Sequence, residues 1–149
     1  MSNFPIFLAA VKGERVGVRC AFMSGAGFLA VGVGAALGAW LRWWLGLLLN
    51  PVFPTLPYGT LAANLIGGYL IGVAVELFVH HAGMPPEVRL FIITGFLGGL
   101  TTFSTFSAEA VGLLTRQQYA WASALILSHL LGSLAMTILG IMTVKAMRG

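Results

Sequence analysis

The chain has 149 residues, of which 58% are hydrophobic and only 8% charged, with a formal net charge of +4. Mean hydropathy is +0.94, so a water-soluble globular domain is excluded; such domains carry about 25% charged residues. The basic residues are scattered at the ends of apolar runs without a cluster on one face, which argues for membrane anchoring and against nucleic acid as a partner.

Charges avoid the apolar runs. Gly25 to Val79 holds only Arg42 and Glu76, Val88 to Leu114 only Arg89 and Glu109, and Gln117 to Val144 none. A membrane span needs about 20 predominantly apolar residues. The pattern therefore predicts an all-α membrane protein with four helices near Gly25–Leu49, Gly59–Val79, Val88–Leu114 and Tyr119–Met142. No length remains for an aqueous domain. Cys20 is the only cysteine, which excludes an intrachain disulfide or a cysteine metal cluster.

In chain order, residues 1–24 read as an N-terminal extension, apolar at Phe4 to Val11 and basic at Lys12, Arg15 and Arg19. A secretory signal places its positive region before the apolar core, and the order here is reversed. Met23 is an alternative start. The first helix stacks Gly34, Gly38 and Arg42 on one face at spacings of four. Trp40, Trp43 and Trp44 flank Arg42 as an interfacial belt. The arginine either snorkels to the interface or draws anions into a vestibule.

The connector Asn50 to Tyr58 is proline-rich and uncharged. The second helix places Asn64, Gly68 and Gly72 on one stripe, and Gly68-x-x-x-Gly72 is a close-packing spacing. Asn64 must find partners in an apolar surround, so it is either interhelical glue or an anion ligand. His80 and His81 lie before Pro85 and Pro86 without a third ligand of metal-binding type, and the bland reading is a solvated pair.

The third segment contains GFLGGLTTFSTFS, Gly95 to Ser107. Its glycines lower helix propensity, while its hydroxyls can bond the backbone locally in place of the helical ladder. This predicts a break at membrane depth, tolerated only where the freed amides and carbonyls are satisfied again. Phe103 and Phe106 share a face if the helix resumes. They either pack in a core or turn their electropositive ring edges toward an anion. In the fourth helix His129, Ser133 and Thr137 form a polar line at spacings of four, beside Gly132, Met136 and Gly140. No nucleotide loop, nucleophile–base set or carboxylate pair suggests catalysis.

GAALGAWLRW (Gly34 to Trp43), GTLAANLIGGYLIG (Gly59 to Gly72), GFLGGLTTFSTFSAE (Gly95 to Glu109) and GSLAMT (Gly132 to Thr137) resemble, in order, the signatures of the Fluc (CrcB) fluoride-channel family. The resemblance covers the membrane region, 25–149, and not the extension. It implies a passive fluoride channel of the bacterial inner membrane: an antiparallel, dual-topology homodimer with two pores that lowers cytoplasmic fluoride. It further implies an aromatic box from Phe103 and Phe106, Asn64 as a donor beside it, and one structural sodium ion held by backbone carbonyls of Gly98 and Thr101. Thr102, Thr105, Ser107, Glu109, His129 and Ser133 would lie at or near the polar path, and Arg42 at its vestibule. Leu125 stands where the family can carry tyrosine, and His129 where it can carry serine. Histidine could donate to the anion or make passage sensitive to pH.

Antiparallel pairing requires insertion both ways. Counted from Met23, Arg89, Lys145 and Arg148 oppose Arg42 and Arg116, three against two, a nearly balanced bias. Counted from Met1, the extension makes it six against two. The expectation is that the extension is absent or too distant to dominate. Two other readings compete: a small dual-topology, proton-coupled multidrug exporter, for which Glu109 is the only candidate carboxylate, and a non-transporting membrane assembly subunit.

Overall fold

The computed structural model describes residues 24–81 and 83–148; the extension, apart from Ser24, and the alternative start at Met23 lie outside them. The described chain is all-helical, with four segments long and apolar enough to cross a membrane: 25–52, 58–80, 86–115 and 119–148. We call these the first to fourth spans.

The first span begins with the Ser24 hydroxyl accepting from Gly27 N–H at 3.0 Å, an N-cap for the helix Gly25–Leu49. It ends in a short 3-10 turn, Asn50–Val52, where Pro51 is accommodated early in the turn. The Asn50 side-chain oxygen then accepts from Gly59 N–H at 2.8 Å, which closes the connector onto the second helix, Tyr58–His80. Phe53 stacks on Tyr58 and tilts against Trp121, with centroids 5.7 and 5.4 Å away. His80 closes the second helix one turn above Glu76, Nε2 to Oε1 3.2 Å.

The third span changes winding along its length. Pro86–Arg89 is α-helical, Leu90–Leu97 is π-helical and Gly98–Leu100 returns to α. Thr101 (φ −80°, ψ 153°) and Thr102 (φ −149°, ψ 113°) are extended. Helix resumes over Phe103–Thr115, where the Thr102 hydroxyl caps by accepting from Thr105 N–H. Gln117, at φ 59°, turns the chain into the fourth span.

The fourth helix runs Tyr119–Arg148, six residues beyond the predicted end at Met142. The expected boundary followed the end of the apolar run. The helix continues because hydrogen bonding persists past it and because Lys145 and Arg148 complement the negative end of the dipole.

Lipid offers no hydrophobic gain for bringing apolar helices together, so close backbone packing decides their association. The first span lies on 90–100 of the third, and the second on the fourth. A Cβ on Gly99 would sit 3.0 Å from Ala35 Cα, and one on Gly140 2.9 Å from Val73 N. Neither contact would survive a larger residue. Two apolar clusters follow: Ala63 with Leu97 and Leu100, and Ala110 and Leu113 with Ala122 and Leu125.

Candidate functional site

The extended pair Thr101 and Thr102 cannot complete the helical ladder, and the hydrogen bonds around it come from neighbouring side chains. Asn64 pairs with Thr102 as one amide pairs with another. Thr102 N–H donates to Asn64 Oδ1 at 2.8 Å, and Asn64 Nδ2 donates to the Thr102 carbonyl at 3.2 Å. The second N–H of Asn64 is directed to His129 Nδ1 at 3.0 Å. Both amide protons of Asn64 are thus engaged, which is interhelical bonding across the second, third and fourth spans.

The hydroxyls of this region are tied to one another and to the backbone. Thr101 Oγ1 donates to the Leu97 carbonyl at 2.9 Å. Thr102 Oγ1 donates to Thr105 Oγ1 at 3.0 Å and lies 3.2 Å from Ser104 Oγ. Such local bonds are what make an interruption in an apolar environment tolerable.

Two carbonyls are left without their helical donors. In an uninterrupted helix Gly98 O would accept from Thr102 N–H, and Thr101 O from Thr105 N–H. Those donors go instead to Asn64 Oδ1 and to Thr102 Oγ1. Hard carbonyl oxygens exposed this way suit a cation such as sodium, so the donor set fits the ion that the resemblance implies. Gly99 O, between them, accepts from Arg42 Nε at 3.0 Å. Arg42 is therefore fastened to the third span across the helix interface.

A cavity of about 700 Å³ opens beside this network. Of the residues expected at the site, it is lined by Asn64, Gly98, Thr101, Thr102, Phe103, Phe106, His129 and Ser133, and no charged side chain lines it. Phe103 and Phe106 tilt against each other at 56° with centroids 5.4 Å apart. The Phe106 ring also lies 4.8 Å from that of His129. Phe103 is 79% exposed, whereas His129 is 5% exposed.

Thr105, Ser107, Glu109 and Arg42 lie outside the cavity lining. Ser107 Oγ donates to the Phe103 carbonyl at 2.8 Å. Glu109 accepts from Thr60 Oγ1 at 2.6 Å, and its Oε2 is buried without a hydrogen bond to the described residues. Thr60 was not anticipated. It stands four residues before Asn64, so the same helical stripe that singled out Asn64 and Gly68 extends back to it. Among the described residues no three His, Cys, Asp or Glu side chains converge as metal ligands.

Fold and cavity define a class: a small multi-pass helical membrane protein built around an uncharged, hydroxyl- and amide-lined cavity beside the extended residues Thr101 and Thr102 of its third span. The chain belongs to the family of the CrcB-like protein, Camphor Resistance (CrcB), whose family model matches residues 29–141. It is 75% identical over 116 residues to the Fluoride-specific ion channel FluC of Nitrosospira multiformis, covering 78% of this chain and 91% of that one. It is 67% identical over 123 residues to the protein of the same name from Ralstonia pickettii, with 83% and 98% covered. The corresponding protein of Thiobacillus denitrificans is 60% identical over 121 residues, with 81% and 98% covered.

Proposed function

We propose that the chain is a passive fluoride channel, in keeping with the name its relatives carry. The observation that carries this reading is the cavity: neutral donors, hydroxyls and two benzyl rings meet there without a charged side chain. A small anion leaving water needs hydrogen-bond donors in place of its hydration shell. It also needs a site weak enough to release it, and a fixed positive charge would hold it too long. Ring edges of Phe103 and Phe106, with the Ser133 hydroxyl beside them, supply attraction of that moderate kind.

The functional unit in this reading is an antiparallel homodimer with two pores, inserted both ways in a bacterial inner membrane. The exposure of Phe103 beside an open cavity supports a second subunit there, and the three-to-two distribution of Lys and Arg counted from Met23, without the extension, supports dual insertion. Equal protease access to a C-terminal tag from both membrane faces is the expected result. The interruption at Thr101 and Thr102 is read as a break at membrane depth. The carbonyls of Gly98 and Thr101 would hold one sodium ion, whose charge there would be structural. Arg42, bound to the carbonyl between them, would serve the packing of this region before any vestibule.

Fluoride and chloride efflux from liposomes tests the function in the wild type and in Phe106→Ile. Bulk fluoride release without proton coupling, slowed by the substitution, is expected. Strict dependence on a proton gradient would move the chain to the exporter class. One observation favours keeping that class in the test: Glu109 is a carboxylate enclosed within the third span, its Oε2 unbonded among the described residues. Glu109→Gln abolishes cation transport if the chain is an exporter and leaves a fluoride conductance in place if it is a channel. Purified protein that conducts nothing would leave the assembly subunit.

A further inference from the structure

The orientation of the Asn64 amide fixes the state of its neighbour. Thr102 N–H can only donate, so the amide atom 2.8 Å from it is the oxygen. The Thr102 carbonyl can only accept, so the atom 3.2 Å from it is the nitrogen. Flipping the amide would set donor against donor and acceptor against acceptor at once. The remaining N–H of Nδ2 then points at His129 Nδ1, 3.0 Å away. An amide NH2 donates and does not accept, so Nδ1 must present its lone pair. The proton of the neutral ring is left on Nε2.

His129 is buried, lines the cavity and has no hydrogen bond from Nε2 to the described residues. Phe106, the ring packed against it, offers only a π face, a weak acceptor. Asn64, by contrast, has no amide proton left for a ligand.

We propose that His129 is an uncharged N–H donor to the permeating anion, held in its Nε2–H tautomer by Asn64, which the backbone of Thr102 orients in turn. This rests on the fluoride-channel reading and deepens it. Asn64 becomes the positioning residue and His129 the residue that touches the ion. The neutral ring is the useful form, because it attracts the anion without trapping it. The lock also links the extended pair of the third span to the cavity face of the fourth.

Two measurements on the full chain in lipid test this. With His80→Gln and His81→Gln, His129 is the one histidine left of three, and nitrogen-15 shifts of the labelled ring read its tautomer. Near neutral pH, Nε2 is expected protonated and Nδ1 bare, and Asn64→Leu is expected to give a mixture of tautomers. A protonated Nδ1 in the parent would overturn the lock. In liposome efflux, His129→Phe keeps a ring but removes the donor. Fluoride release should slow by about tenfold to a hundredfold, the scale of one hydrogen bond to a charged partner. His129→Gln, which returns an N–H at comparable reach, should recover most of the rate, and it carries the test if the Phe variant fails to fold. Unchanged efflux in both variants overturns the donor role and leaves the channel reading standing. No fluoride efflux from the wild type overturns the channel reading and the donor role together, while the nitrogen shifts still judge the lock.

Discussion

Arg42 Nε donates to the carbonyl oxygen of Gly99 at 3.0 Å, joining the first span to the third across 57 positions. The chain turns extended two residues after Gly99, so the backbone there does not continue as helix. The guanidinium supplies a donor to that carbonyl from a neighbouring helix. Arg42→Leu removes it and should lower stability by about 1–3 kcal/mol, the cost of leaving a part-buried acceptor unpaired. A lower thermal midpoint in detergent, followed by tryptophan emission, checks this. Arg42→Lys should recover only part, since an ammonium lacks the planar fork.

Asn64→Leu should loosen Thr102 before it loosens anything else. Both backbone groups of Thr102 lose their partner, at about 1–3 kcal/mol for each group left unsatisfied. Hydrogen exchange of a peptide covering 98–106 should accelerate, while one from the middle of the first span stays protected. Equal acceleration in both would mean that the amide merely supports the fold at large.

Thr60→Val tests the contact with Glu109. The substitution nearly conserves shape and deletes the donor at 2.6 Å, leaving the carboxyl group with no hydrogen bond among the described residues. A loss of about 1–3 kcal/mol is expected, and Thr60→Ser should restore it. The same thermal midpoints compare the three proteins.

Glycines of the first span should divide into two kinds. A Cβ on Gly38 would lie 2.7 Å from Leu100 N, whereas one on Gly32 meets nothing within 4 Å. Gly38→Ala should therefore cost about 1–3 kcal/mol through forced separation of the helices. Gly32→Ala should be neutral or stabilising by up to about 1 kcal/mol, since alanine orders the helix better. Parallel unfolding curves for the two variants decide the matter.

Much of the architecture was legible because charge and apolar length mark membrane helices directly. The first helix begins and ends where the apolar run predicts, at Gly25 and Leu49. The packing roles of Gly68, Gly72 and Gly140 followed from their spacing, and the backbones of the partner helix do lie against them. The winding of 90–97 was not legible, because a π-helix leaves no compositional mark comparable to a run of charges. Asn64 drew notice as a lone amide, but its pairing with Thr102 spans 38 positions and its contact with His129 spans 65. No local pattern encodes such distances. Thr60 lies one turn before Asn64, but threonine in an apolar helix commonly bonds its own backbone, so its residue type does not mark it as a partner for Glu109. Arg42 looked like a residue facing water because its tryptophan neighbours suggested an interface.

The two halves of the third span share the second span, through Ala63 and through Thr60, and differ in their other neighbour. Residues 90–100 lie against the first span, and 103–115 reach the fourth through Ala110 and Leu113. Thr101 and Thr102 are the seam between the two blocks. Mutations that alter one interface, well away from the seam, should add independently to those that alter the other. Evolution can therefore retune how one block is mounted on its outer neighbour while leaving the opposite block as it was.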